Sequence, residues 1–129
     1  YKANDWERAA ELEVEIWVDG PQRTPDQVDA HIRDRVREMD LIALRNEAER
    51  DKYLQPMEPP TIERLGEITA PTLIIAGELD QPHMPAACRL MSERITNARL
   101  EVMHGTAHLP NMERPDEFNR IVLDFLQGL

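Results

Sequence analysis

Two residues in this chain could together activate a hydroxyl nucleophile: Asp80 and His108. A hydroxyl is a weak nucleophile until an imidazole accepts its proton, and a carboxylate behind the imidazole fixes the ring tautomer and stabilises the imidazolium. In such a pair Asp80 orients, while His108 serves as general base and then as general acid. Asp80 stands at the end of Gly77-Glu78-Leu79-Asp80, and His108 at the end of His104-Gly105-Thr106-Ala107-His108, each directly after a short apolar run. On spacing alone the plainer reading, a turn-capping Asp and a solvated His, is preferred. A nucleophile is harder to find, since Ser92 is the only serine and lies in a helical pattern, Leu90-Met91-Ser92-Glu93-Arg94. Its backbone cannot form the sharp strand-to-helix turn that presents such a nucleophile. Cys88 falls on the same pattern and fails by the same argument.

The elements that must position the pair are legible from hydrophobic spacing. Pro71-Thr72-Leu73-Ile74-Ile75-Ala76-Gly77 is a nearly continuous apolar run, the pattern of a parallel strand covered on both faces. Residues 85–96 return to helical spacing through Ala87, Leu90, Met91 and Ile95. Ala98 to Met103 reads as a second strand, and a last helix is predicted from about Pro115, with the stripe Phe118, Ile121, Val122, Phe125 and Leu126. Strand, helix, strand, helix at these lengths is an α/β class signature, a parallel pair joined by a right-handed crossover. Ligands in such sheets sit beyond the carboxyl ends of the strands, where Asp80 and His108 are found. Two strands want neighbours on their edges, and no third good strand candidate is present, so the missing strands are expected from elsewhere.

Upstream the pattern is helical. Residues 5–19 favour a helix stopped by Gly20-Pro21. Thr24-Pro25-Asp26-Gln27 carries the signals of a capped helix start, predicting a long helix with the stripe Val28, Ile32, Val36, Met39 and Ile42/Ala43 that fades around Lys52. Pro56, Pro59 and Pro60 mark a connection and a boundary, dividing the chain into residues 1–60 and 61–129.

The wording of residues 68–127 adds a resemblance. Pro71-Thr-Leu-Ile-Ile-Ala-Gly-Glu-Leu-Asp80, then Asn97-Ala-Arg-Leu-Glu-Val-Met, then Gly105-Thr-Ala-His-Leu-Pro-Asn-Met-Glu-Arg-Pro-Asp-Glu-Phe118 resembles the carboxyl-terminal end of the α/β-hydrolases. Within that superfamily it looks most like the 3-oxoadipate enol-lactonase-like esterases and lactonases, with C–C bond hydrolases and cofactor-free haloperoxidases close by. The resemblance implies a Ser-His-Asp acyl-enzyme mechanism on a small ester or lactone, with Asp80 and His108 in the acid and base positions and no cofactor. It also implies that residues 1–60 belong to a helical cap. The chain departs from the family pattern in lacking the Gly-x-Ser-x-Gly elbow and an oxyanion loop. It is therefore expected to be part of a longer enzyme and inactive alone, its partner being the amino-terminal hydrolase half or a second copy. A rival reading is a non-catalytic module that self-associates by domain swapping to cover its open strand edge.

Trp17 is expected to line a substrate pocket from the cap or to pack in its core, and Leu109 to border the substrate entrance or pack as a loop leucine. Trp6 reads as core, His83 and His104 as solvent-facing, and Glu113 as support for the loop or for the last helix start. Met84, Met91, Met103 and Met112 read as core or pocket filler. Bulk properties narrow the partners. A net charge of −10 without a basic, aromatic-laced patch argues against nucleic acid. No apolar run approaches the ~20 residues of a membrane span. The histidines lack zinc-site spacing, so no metal is expected. A single cysteine agrees with a reducing compartment, for which the cytoplasm is the default.

Overall fold

Asp5 opens the first helix, its carboxylate accepting the Arg8 amide at 3.1 Å. That bond satisfies one of the amide groups a helix start leaves without an internal partner. Helix α1 spans Trp6–Val14 and runs into a wider π-helical turn, Glu15–Asp19, closed by Gly20 at φ +72°. The computed structural model describes residues 5–50, 53 and 55–129, and the chain divides into two compact units, Tyr1–Gln55 and Pro56–Leu129.

In the first unit the long helix starts later than its capping signals predict. Pro25–Gln27 forms one 3₁₀ turn, with the Thr24 amide donating to Gln27 Oε1 at 2.9 Å. Val28 is then extended (φ −119°, ψ 144°), and α2 runs Ala30–Arg50, with Asp29 accepting the His31 amide at 2.8 Å. Asp29 is thus the effective cap, and the extended Val28 is itself buried. Of the predicted stripe, Val28 and Val36 are buried while Met39 and Ile42 are exposed. Lys52, where the stripe was expected to fade, lies outside the described residues. Among the described residues, Ala9, Ala10, Val14 and Val18 complete the buried apolar set of this unit.

Polar groups reinforce that packing. Asp19, 2% exposed, accepts two bonds from Arg33, Nε to Oδ1 at 2.8 Å and Nη2 to Oδ2 at 3.0 Å. Glu11 receives Arg33 and Arg37, each at 2.8 Å. Two-point guanidinium to carboxylate pairing is among the stronger and more directional polar contacts.

The second unit follows the sequence reading closely. Strand β1 is Thr72–Gly77, α3 is His83–Arg94, β2 is Ala98–Met103, a short α4 is Pro110–Glu113, and α5 is Pro115–Gln127. The strands pair in parallel from Thr72 with Ala98 to Gly77 with Met103. Ile74 and Ala76 pack with Cys88 of α3, flanked by Met91, Ala98 and Leu100. The apolar strand run is buried because α3 covers one of its faces. Among the described residues these two strands are the whole sheet.

Candidate active site

The register fixes where the side chains of Asp80 and His108 can be. Gly77 and Met103 share the last rung of the sheet, so the turns that follow leave the same edge. Backbone bonds sew these turns together: the Glu78 amide donates to Met103 O at 3.1 Å and the Leu79 amide to Thr106 O at 2.9 Å. The fit is tight enough to demand glycine at 77. A Cβ there would lie 1.9 Å from the Ala107 carbonyl oxygen, far inside any van der Waals distance.

Asp80 and His108 meet across this seam, with His108 Nδ1 and Asp80 Oδ2 2.8 Å apart. A carboxylate can only accept, so Nδ1 carries the proton and Nε2 is the acceptor of the neutral ring. Asp80 Oδ1 accepts the Gln81 amide at 2.7 Å. The carboxylate is buried, at 6% exposure, whereas the imidazole is about one third exposed, at 36%. A buried orienting acid behind a reachable base is the arrangement that proton transfer to and from a hydroxyl requires.

The loop that carries His108 is held from both sides by carboxylates. Glu113 Oε1 accepts the amide of the buried Ala107 at 2.7 Å, which is the loop support expected of it. Glu78 Oε2 accepts the Gly105 amide at 3.0 Å, and its Oε1 lies 3.1 Å from His104 Nδ1. The Gly105 bond first and the His104 contact second hold the Glu78 carboxyl below the usual carboxylate range. Sequence reasoning did not single out Glu78. Its role depends on the corner at Gly105, φ +71°, which lies 27 residues further along the chain.

The other named residues are placed as follows. Leu109 is half-buried beside His108 and stands at the start of α4, its carbonyl accepting the Met112 amide at 2.9 Å. Trp17 belongs to the first unit, half-buried, with its indole donating to Glu13 Oε2 at 2.6 Å. His83 and His104 are exposed, and Met103 is fully buried. Ser92 sits within α3, its hydroxyl donating to the Arg89 carbonyl at 2.8 Å. Burial, aided by the Asp80 charge, pushes the Cys88 thiol up, so it stays protonated and a poor nucleophile. Among the described residues no cluster of metal-ligating side chains occurs, and no helix is long and apolar enough to cross a membrane.

No family model matches the chain. A 2-hydroxy-6-oxononadienedioate/2-hydroxy-6-oxononatrienedioate hydrolase of Pseudomonas putida is 46% identical over 65 residues, which is 50% of this chain and 22% of that enzyme. A proline iminopeptidase of Thermoplasma volcanium is 37% identical over 65 residues, with the same coverage of 50% and 22%. The chain thus spans about a fifth of the length of these curated relatives. In structure, 97% of the chain superposes on 47% of a thermophilic esterase, with a TM-score of 0.69 and 21% identity. The relatives and structural neighbours are members of the α/β-hydrolase superfamily. Parallel strands in register, a crossover helix over them and loops leaving one sheet edge give this chain the fold of the carboxyl-terminal part of an α/β-hydrolase.

Proposed function

We propose that the second unit supplies the orienting acid, Asp80, and the general base, His108, of a hydrolase that opens a small ester or lactone through an acyl-enzyme. The observation that carries this reading is the 2.8 Å bond between His108 Nδ1 and the buried Asp80 carboxylate at the carboxyl edge of the sheet. In the proposed reaction His108 Nε2 takes the proton of a serine hydroxyl as it attacks the substrate carbonyl, then returns it to the leaving oxygen. Water attacks the acyl-enzyme in the second half, with His108 accepting its proton and returning it to the serine oxygen as the acyl–oxygen bond breaks. The serine and the oxyanion donors are contributed by residues outside these 129, the helices of the first unit belong to a cap segment that carries Trp17, and Leu109, next to His108, is a substrate-contacting candidate of the second unit. The group needs no cofactor for this chemistry.

A graft tests the proposal. The aligned segment of the Pseudomonas putida hydrolase would be replaced by its counterpart from this chain, and turnover of an activated ester followed. Turnover is expected, and His108→Ala is expected to lower it roughly a hundred- to ten-thousand-fold, the range of general acid–base catalysis. A folded graft with full activity after His108→Ala would sink the assignment. The purified 129-residue chain by itself is expected to show no His108-dependent turnover.

A second reading, a self-associating module without catalysis, draws on exposed apolar side chains in the same unit. Val102 of β2 is 42% exposed, and Leu123 and Leu126 of α5 are 54% and 55% exposed. Exposed strand edges and apolar helix faces favour pairing with a second copy. Sedimentation equilibrium separates the two readings. Concentration-dependent dimers abolished by Leu123→Glu with Leu126→Glu, together with an inactive graft, would put the module ahead.

A further inference from the structure

The strap of two carboxylates around the His108 loop goes beyond the acid–base pair itself. The loop from His104 to Leu109 leaves β2, turns at Gly105 (φ +71°) and reaches α4 at Pro110. Its backbone touches the Asp80 turn through the Thr106 carbonyl, which receives the Leu79 amide at 2.9 Å, and closes on itself where Thr106 Oγ1 donates to Met103 O at 3.0 Å. Those bonds fix the middle of the loop. The Gly105 and Ala107 amides are satisfied by side chains from the two segments that flank the loop. Glu78 reaches from the turn that also carries Asp80, and Glu113 reaches back from α4.

We propose that Glu78 and Glu113 are positioning residues that together hold the His108 imidazole against Asp80. This deepens the hydrolase reading and rests on it. Each carboxylate acts through a bond to the loop backbone. Glu113 accepts the amide immediately before His108, so it sets the direction in which the His108 backbone enters. Glu78 pins the corner three residues earlier to the acid's own turn, so a shift of one turn is carried to the other. A residue placed two positions before the acid thereby contributes to the alignment of the base. Because Glu78 is exposed and Leu79 still binds Thr106 through its backbone, removing the Glu78 carboxylate leaves the chain able to fold.

The test reads the pair directly, without turnover. In the 129-residue chain labelled with ¹⁵N-histidine, the His108 Nδ1 proton held by Asp80 should resonate far downfield, assigned by its disappearance in His108→Gln. Glu78→Ala and Glu113→Ala are expected to lose most of that signal. Glu78→Gln and Glu113→Gln, whose amide oxygen still accepts one N–H, are expected to keep it. A signal undiminished in both folded alanine variants would overturn the proposal, as would its loss in the glutamine variants to the same extent as in the alanine ones. Should Glu113→Ala fail to fold, Glu78→Ala and Glu113→Gln decide by the same criteria. Absence of the downfield proton in the unsubstituted chain would instead refute the acid–base pair itself, which separates failure of the underlying reading from failure of the strap.

Discussion

At the scale of single residues, Gly77 and Asp19 carry the sharpest expectations. Gly77→Ala must drive Cβ into the Ala107 carbonyl, 1.9 Å away, and backbone cannot yield as a side-chain tip can. The loss should be about 1–3 kcal/mol or more, the range of overpacking, measured by urea denaturation, with the His108 loop displaced in the process. Asp19→Ala removes one of the two carboxylates that hold the mostly buried Arg33 guanidinium, Glu11 remaining, and is expected to cost roughly 1.5–3 kcal/mol in the same measurement. The strand-end glycine could be read from sequence only as a turn residue. That it is also a contact residue depends on Ala107, thirty positions on. Asp80 and His108 were nameable because the apolar runs before them said where each strand ends. Their 2.8 Å approach required the register.

At the scale of elements, the runs with one unambiguous period were the legible ones. Thr72–Gly77 is too short and apolar for anything but a strand beside a covering helix, Ala98–Met103 is a short run with only Met103 fully buried, and α5 keeps one apolar stripe throughout. Residues 24–30 were misread because a capping box looks the same in front of one turn as in front of six. Val28 leaves the helix for a buried extended conformation, and Asp29 then restarts it. The widened turn at Glu15–Asp19 escaped notice because nothing local announces it, and its Asp19 is paired from α2. The helix pair also makes a pH prediction. Burial pushes the Glu11 carboxyl up, but bonds and charge from Arg37 and Arg33 outweigh it and hold the carboxyl below its usual value. The folded form therefore favours the ionised group, so this stabilisation is complete above the ordinary carboxylate range and is lost as pH falls through the lowered value. Asp40 works in the opposite sense, its carboxyl raised by burial and by the Glu13 charge, and it gains relative stability as pH falls. Following helix content by circular dichroism during acid titration, Glu11→Gln should flatten the acid limb, while Asp40→Asn should steepen it.

At the scale of the whole molecule, the division of labour is between a helical unit that spends its polar groups on internal ion pairs and an α/β unit that presents them at a sheet edge. The parallel register has a consequence for descent as well as for chemistry. The acid, the base, the glycine that lets their turns meet and the two carboxylates around the loop all lie between Gly77 and Glu113. In the hydrolase reading proposed above, one short stretch of sequence therefore carries both members of the acid–base pair together with the contacts that align them. In that reading, recombination with breakpoints on either side of the stretch passes the pair on as a unit, without separating acid from base.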